Sequence, residues 1–137
     1  MTRVYVDVVG DLFHYGHVEF FRRARDFGDA LVVGVHSDAT AGSYKRVPVM
    51  TMDERVRVVE ACRYVDEVIP DAPLEVGADW ISRHRIDLVV HGNDLDEQAT
   101  DLMYRVPRQL GILRTIPYTE GVSSSDIRRR LQRGRPS

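Results

Sequence analysis

Two histidines three residues apart flank a glycine in the stretch Gly10-Asp11-Leu12-Phe13-His14-Tyr15-Gly16-His17, directly after a β-branched run. Imidazoles at a strand-to-helix turn can donate to a common anion, and the free N–H groups of a helix start favour negative charge at the same point. His17 is in phase with Phe20, Phe21, Ala24 and Phe27, which turns it inward along the sheet edge. The pair equally reads as a helix cap with its packing partner. A zinc reading lacks a further cysteine or histidine pair at ligand spacing.

Three further clusters carry polar chemistry. Lys45 and Arg46 stand on a loop long enough to close over a ligand, although such a pair more often belongs to a solvated loop. Thr51 and Glu54 form the T-x-x-E signature of a helix start. Arg55 then falls in phase with Val58, Val59 and Cys62, and a charge on that apolar stripe makes sense if it reaches the rim of a site. The same phase makes Cys62 a core residue rather than a nucleophile. His91-Gly92-Asn93-Asp94 offers a close backbone approach and polar groups, or plain turn chemistry. In Thr119-Glu120-Gly121-Val122-Ser123-Ser124-Ser125-Asp126, Ser123 and Asp126 read as another capping box, and the hydroxyls with free N–H groups suit a polyphosphate. Arg128, Arg129, Arg130, Arg133 and Arg135 follow as a solvated end that complements the helix dipole. Histidines, cations, glycines and hydroxyls are thus present without a nucleophile–base pair or a Walker lysine motif. Chemistry that needs positive charge and donors but no covalent intermediate is phosphoryl or nucleotidyl transfer.

The elements that must position these residues alternate in type. Residues 3–9, 30–36, 64–70, 87–91 and 111–116 read as strands, and 17–27, 51–62, 77–84, 96–109 and 123–131 as helices. Strands without clean alternation, separated by helices, predict a parallel sheet covered on both faces with right-handed crossovers. Ligands in such sheets bind beyond the carboxyl ends of the strands, where the four clusters fall.

The 137 residues suit one domain, with no linker or low-complexity tract. A net charge of −2 gives no reason to expect nucleic acid or an anionic membrane as partner. No apolar stretch is long enough for a membrane span, and the first residues read as a strand rather than a signal peptide. A single cysteine excludes an internal disulfide and fits a reducing cytoplasm.

The segments DLFHYGH (11–17), VGVHSD (33–38), KRVPVMTMDERVRVVEACRYVDEVIPDAP (45–73), HGND (91–94) and TEGVSSSDI (119–127) resemble cytidylyltransferases acting on glycerol phosphate, phosphoethanolamine and phosphocholine. The similarity covers nearly the whole chain and is greatest to the phosphoethanolamine type. It implies an α/β, Rossmann-like three-layer fold with a five-stranded parallel sheet flanked by helices. It also implies transfer of CMP from CTP to a small phosphorylated alcohol or phosphonate, with release of pyrophosphate, Mg²⁺ as cofactor and a homodimer with the HYGH region near the interface. By the same resemblance, His14, His17, Lys45 and Arg55 are the catalytic residues. The nucleotide-binding set comprises Val9, Gly10, Asp11 and Gly16 after the first strand and His91, Gly92, Asn93 and Asp94 after the fourth. Thr119, Gly121, Val122, Ser123 and Ser124 complete it, and Asp11 is expected near Mg²⁺. Arg46 and Tyr118 are the expected substrate contacts.

Two departures stand out. Val8, Val9 and Gly10 replace the usual glycine, small residue and aromatic before Asp11, and Tyr118 replaces an arginine. A phenol cannot supply the bidentate anion contact of a guanidinium. Both changes point to a different small anionic substrate, such as a phosphonate activated as its CMP conjugate. An adenylyltransferase of the same fold and a catalytically degenerate nucleotide-binding regulatory module are the competing readings.

Overall fold

The computed structural model describes residues 1–117, 119 and 121–134. Along the chain run β1 (Arg3–Val8), α1 (Tyr15–Arg25), β2 (Ala30–Val35), α2 (Asp38–Tyr44), α3 (Met52–Glu60), β3 (Glu67–Pro70), α4 (Ala78–Arg83), β4 (Leu88–Gly92), α5 (Glu97–Gln109), β5 (Leu113–Ile116) and α6 (Ser124–Arg133). All strand pairs are parallel, in the order β3-β2-β1-β4-β5. The expected parallel α/β sheet is therefore present, its strands shorter than their apolar runs except β4, which keeps its length one residue further on. β3 begins at Glu67, and Asp66 just before it is tied to β2: its N–H donates to Leu31 O (2.9 Å) and its carboxylate accepts from Leu31 N (2.8 Å).

Alternate strand residues face opposite sides of a sheet, and each face has its own core. Val4 and Val6 pack with Phe21 and Ala24 of α1 and Val59 of α3, whereas Tyr5 and Val32 pack with Met103 and Tyr104 of α5. Both faces are covered, which explains why β2 reads as an unbroken apolar run and is buried from Leu31 to Val35. Phe27 departs from the expected stripe. It lies beyond the end of α1 and is 37% exposed, so the buried face of that helix ends at Ala24.

β1 pairs with β2 on one side and β4 on the other. The chain winds away from β1 in both directions, and a crevice opens at the strands' carboxyl ends. Two local features shape it. α2, absent from the sequence expectation, is capped by Ser37, whose hydroxyl accepts from Thr40 N at 3.0 Å. α5 kinks at Tyr104 (φ −128°, ψ 23°), three residues before Pro107. A proline ring clashes with the carbonyl four residues back. That carbonyl, Met103 O, instead accepts from Val76 N at 2.9 Å, and the Tyr104 side chain is left to reach the floor of the crevice.

Candidate functional site

A cleft of about 550 Å³ lies at the carboxyl ends of the strands. One wall is the turn from β1 into α1. Gly10 (φ +72°) takes a left-handed conformation that makes this turn possible. His14 is the N-cap of α1, and the two histidines cap the helix reciprocally: His14 Nδ1 accepts from Gly16 N and His17 Nδ1 accepts from His14 N, each at 3.1 Å. With both Nδ1 atoms serving as acceptors, both rings carry their proton on Nε2. The two readings of this pair are therefore one structure, since the capping bonds fix the tautomer that carries its proton on Nε2. Burial lowers the His14 pKa. Burial, reinforced by His14 and Lys45 and opposed by Asp11, lowers that of His17 to about 3. Both are neutral donors at pH 7. A Cβ at Gly16 would come within 2.8 Å of the His14 ring, so only glycine lets that ring lie over the helix start.

The second wall is the start of α6. Ser123 caps the helix by accepting from Asp126 N at 3.0 Å. Ser124 Oγ donates to Asp11 O at 2.7 Å and lies 3.5 Å from His14 Nε2. Thr119 and Val122 line the same side. Lys45 and Arg46 form the rim, with Arg46 donating to Ser125 Oγ at 2.6 Å. The opposite end is walled by His91, Gly92 and Asp94, and Val9 lies between.

Three expected placements change. Arg55 does not reach the cleft and is 0% exposed. Its guanidinium donates to Val9 O (2.6 Å), His36 O (2.7 Å), Met50 O (3.1 Å) and Asp38 Oδ1 (2.6 Å), so it braces the site from behind rather than touching a ligand. Asn93 and Gly121 do not line the cleft: Asn93 N donates to Ile116 O at 3.0 Å beyond the β4–β5 pairing, and Gly121 lies in the turn ahead of α6. Tyr118 and Arg135 lie outside the described residues. Arg114 donates to Gly111 O and Leu113 O, each at 3.0 Å, and does not line the cleft.

Asp11, expected near a metal, is otherwise employed. Its carboxylate accepts from Val49 N (2.9 Å), Met50 N (3.0 Å) and Arg128 Nη2 (3.0 Å). Burial alone would raise its pKa, but the two amides and Arg128 outweigh it and the net shift is downward. Among the described residues no group of three or more His, Cys, Asp or Glu side chains could hold a metal ion.

The floor was not legible in the sequence. Asp7, at the end of β1, accepts from Tyr104 OH through Oδ1, and its Oδ2 lies 3.4 Å from His36 Nε2. Neither Oδ2 nor His36 Nε2 has a hydrogen-bond partner among the described residues. His36 Nδ1 is 2.7 Å from Tyr44 OH, and the His91 ring stacks on Tyr104 with centroids 4.6 Å apart. A lone aspartate inside a β-branched run was the available signal, since a strand end facing a cleft is where a buried carboxylate can be tolerated.

A family model described as Cytidylyltransferase-like matches residues 10–130. The chain is 44% identical over 134 residues to the ethanolamine-phosphate cytidylyltransferase of Arabidopsis thaliana, covering 93% of this chain and 32% of that protein. It is 41% identical over 129 residues to the probable ethanolamine-phosphate cytidylyltransferase of Encephalitozoon cuniculi, covering 93% and 40%. The chain thus spans no more than about 40% of the length of these relatives. Among solved structures, a lipopolysaccharide core biosynthesis protein from Thermoplasma volcanium shares the fold with a TM-score of 0.71 at 24% identity, over 89% of this chain and 99% of that one. Pantothenate synthetase from Thermus thermophilus does so at 0.61 and 16% identity, over 93% and 61%. As the matched span runs from the turn after β1 into α6 and takes in the histidine pair, the Lys45 rim and the serines of α6, the chain belongs to the cytidylyltransferase-like family.

Proposed function

We propose that the cleft transfers CMP from CTP to the phosphate of a small phosphorylated alcohol, phosphoethanolamine in the first place, and releases pyrophosphate. The observation that carries this reading is the pair of neutral Nε2–H imidazoles beside the α6 start, in a cleft whose floor holds a buried carboxylate oxygen that makes no hydrogen bond among the described residues. The acceptor's phosphate oxygen, ionised at pH 7, attacks the α-phosphorus. The new P–O bond forms as the bond to the bridging oxygen breaks, and that oxygen leaves with the electron pair as part of pyrophosphate. No proton has to be removed from the nucleophile, so the step needs no general base. His14 and His17 donate to the non-bridging oxygens as charge develops on them, where preorganised donors count most. Lys45 and the serines of α6 take the β- and γ-phosphates, and Mg²⁺ enters as the ion of the nucleotide's own triphosphate.

Asp7 supports the choice of acceptor. Asp7 Oδ2 faces the His36 imidazole at 3.4 Å without a hydrogen bond among the described residues, and a primary ammonium would supply both charge and hydrogen bond. A quaternary ammonium, by contrast, is best held by aromatic faces. The names of the relatives point the same way. The test is pyrophosphate release with CTP, ATP, GTP or UTP against phosphoethanolamine, phosphocholine, glycerol 3-phosphate and a small aminophosphonate. Release with CTP and phosphoethanolamine is expected. Turnover confined to the phosphonate would replace the acceptor, turnover with ATP alone would replace the nucleotide, and silence with CTP bound would leave a binding module. The reading also includes pairing of two chains near Tyr15, which is 56% exposed at the start of α1. A monomer in sedimentation equilibrium at micromolar concentration would remove that part.

A further inference from the structure

The 45–50 segment carries Lys45 and Arg46 yet forms no regular structure, and Lys45, Arg46, Val47 and Val49 are all exposed. What holds it converges on one carboxylate. Asp11 is 5% exposed, and its two oxygens receive Val49 N, Met50 N and the Arg128 guanidinium at 2.9–3.0 Å. The same Arg128 nitrogen reaches Val47 O at 3.2 Å. Arg128 stands four residues after Ser124 on α6, on the same helical face. Ser124 Oγ holds the main-chain carbonyl of Asp11 at 2.7 Å. α6 thus grips Asp11 at both ends, backbone through Ser124 and carboxylate through Arg128, and Asp11 in turn grips the segment that bears Lys45.

We propose that Asp11 and Arg128 form a clamp that fixes the 45–50 segment against α6. Arg128 is then a positioning residue that sets Lys45 opposite the serines of the same helix, and Asp11 serves the segment rather than a metal ion. Donors aimed at a polyphosphate act only if they are held in place beforehand. The opposite walls of the phosphate end come from chain segments far apart in sequence, and the clamp joins them. The link between clamp and nucleotide rests on the proposed function, whereas the clamp itself does not.

Amide hydrogen exchange on the whole chain, without nucleotide, tests the clamp independently of activity. In Arg128→Met the Val49 and Met50 amides should exchange about 10-fold faster or more, the loss expected when a charge-assisted hydrogen bond is removed. Amides in the middle of α3 should keep their rates, and Arg128→Lys should restore part of the protection. Asp11→Asn should reproduce the pattern, and the double variant should add little to the larger single effect. Unchanged exchange at Val49 and Met50 in Arg128→Met, or strictly additive effects, would overturn the clamp. With CTP and phosphoethanolamine, Arg128→Met should raise the KM for CTP about 10-fold while kcat stays within about threefold. The Mg²⁺ concentration for half-maximal rate should not move; a shift would make the pair part of an ion site and overturn the assignment. If no nucleotide is turned over, the exchange result still decides the clamp and the failure belongs to the proposed reaction.

Discussion

A neutral imidazole is useful at a developing oxyanion when its proton points the right way, and at His14 and His17 the backbone settles that. Each Nδ1 is occupied by an N–H of the helix start, so each Nε2 carries the ring's hydrogen, that of His14 beside Ser124 Oγ at 3.5 Å. His14→Ala should therefore lower kcat by about 10²–10³-fold while changing CTP binding much less, because the donor acts chiefly in the transition state. Steady-state kinetics beside a direct CTP titration separates the two, and equal losses in both would move His14 to ground-state binding. Burial of His17 has its own consequence for stability. The folded chain resists protonating it until about pH 3, against an ordinary value of 6.5, while the unfolded chain protonates it freely. Stability from this group is complete above about pH 6.5 and is lost as the pH falls, by at most about 1.4 kcal/mol per pH unit. His17→Gln, which keeps an acceptor for His14 N, should flatten the decline in urea-melt stability between pH 6.5 and 4. An unchanged slope would mean that the folded His17 takes up its proton in that range.

At the scale of elements the brace is Arg55. Its four acceptors belong to the ends of β1 and β2, the start of α2 and the entry to α3. Arg55→Met would leave the Val9 and His36 carbonyls without their donor in a buried site, at a cost of roughly 3 kcal/mol or more. Arg55→Lys should recover only a fraction, since an ammonium cannot match the guanidinium fork. The check is the midpoint of urea unfolding at constant slope, and a cost below about 1 kcal/mol would mean that water takes over the arginine's bonds. The periodicity that located α3 also made Arg55 conspicuous, but phase tells which face a side chain is on and not how deep that face lies. An inward-pointing arginine could reach either a ligand or the carbonyls of neighbouring strands, and the fold chose the carbonyls. The parallel sheet was legible because its apolar runs are long and β-branched. α2 was not, since a seven-residue helix with only Ala41 buried leaves no stripe to detect, and the Ser37 cap was its sole signal. Capping chemistry did better: Thr51 and Glu54 close their box from both sides, while Ser123 accepts from Asp126 N as expected.

Across the whole molecule, the reversal of winding at β1 puts unlike groups at the two ends of one cleft. Neutral donors and cations gather where α1, the 45–50 segment and α6 meet, while the floor beneath β1 ends in Asp7 with Tyr104 beside it. On the proposed reaction, that polarity suits an acceptor with a phosphate at one end and a cation at the other, its phosphate toward the histidines. Sequence could indicate the donor end, because it is built from contiguous motifs. The floor is assembled from residues 97 positions apart; Pro107 inside the expected helix signalled a kink in α5, but not that the kink would bring Tyr104 onto Asp7. Asp7→Asn tests this polarity with little disturbance, since the amide oxygen can still accept from Tyr104. The KM for phosphoethanolamine should rise by about 10–100-fold, the range expected for losing a charged hydrogen bond in a dry site. The KM for CTP should hold. Any turnover of glycerol 3-phosphate should be unaffected or improved, because that acceptor brings no cation and gains from a neutral floor. If both acceptors weaken alike, Asp7 is a structural partner of Tyr104 and the cation must be sought at the cleft mouth. A selective loss for the amine would instead make the end of β1 the point at which the fold reads its acceptor.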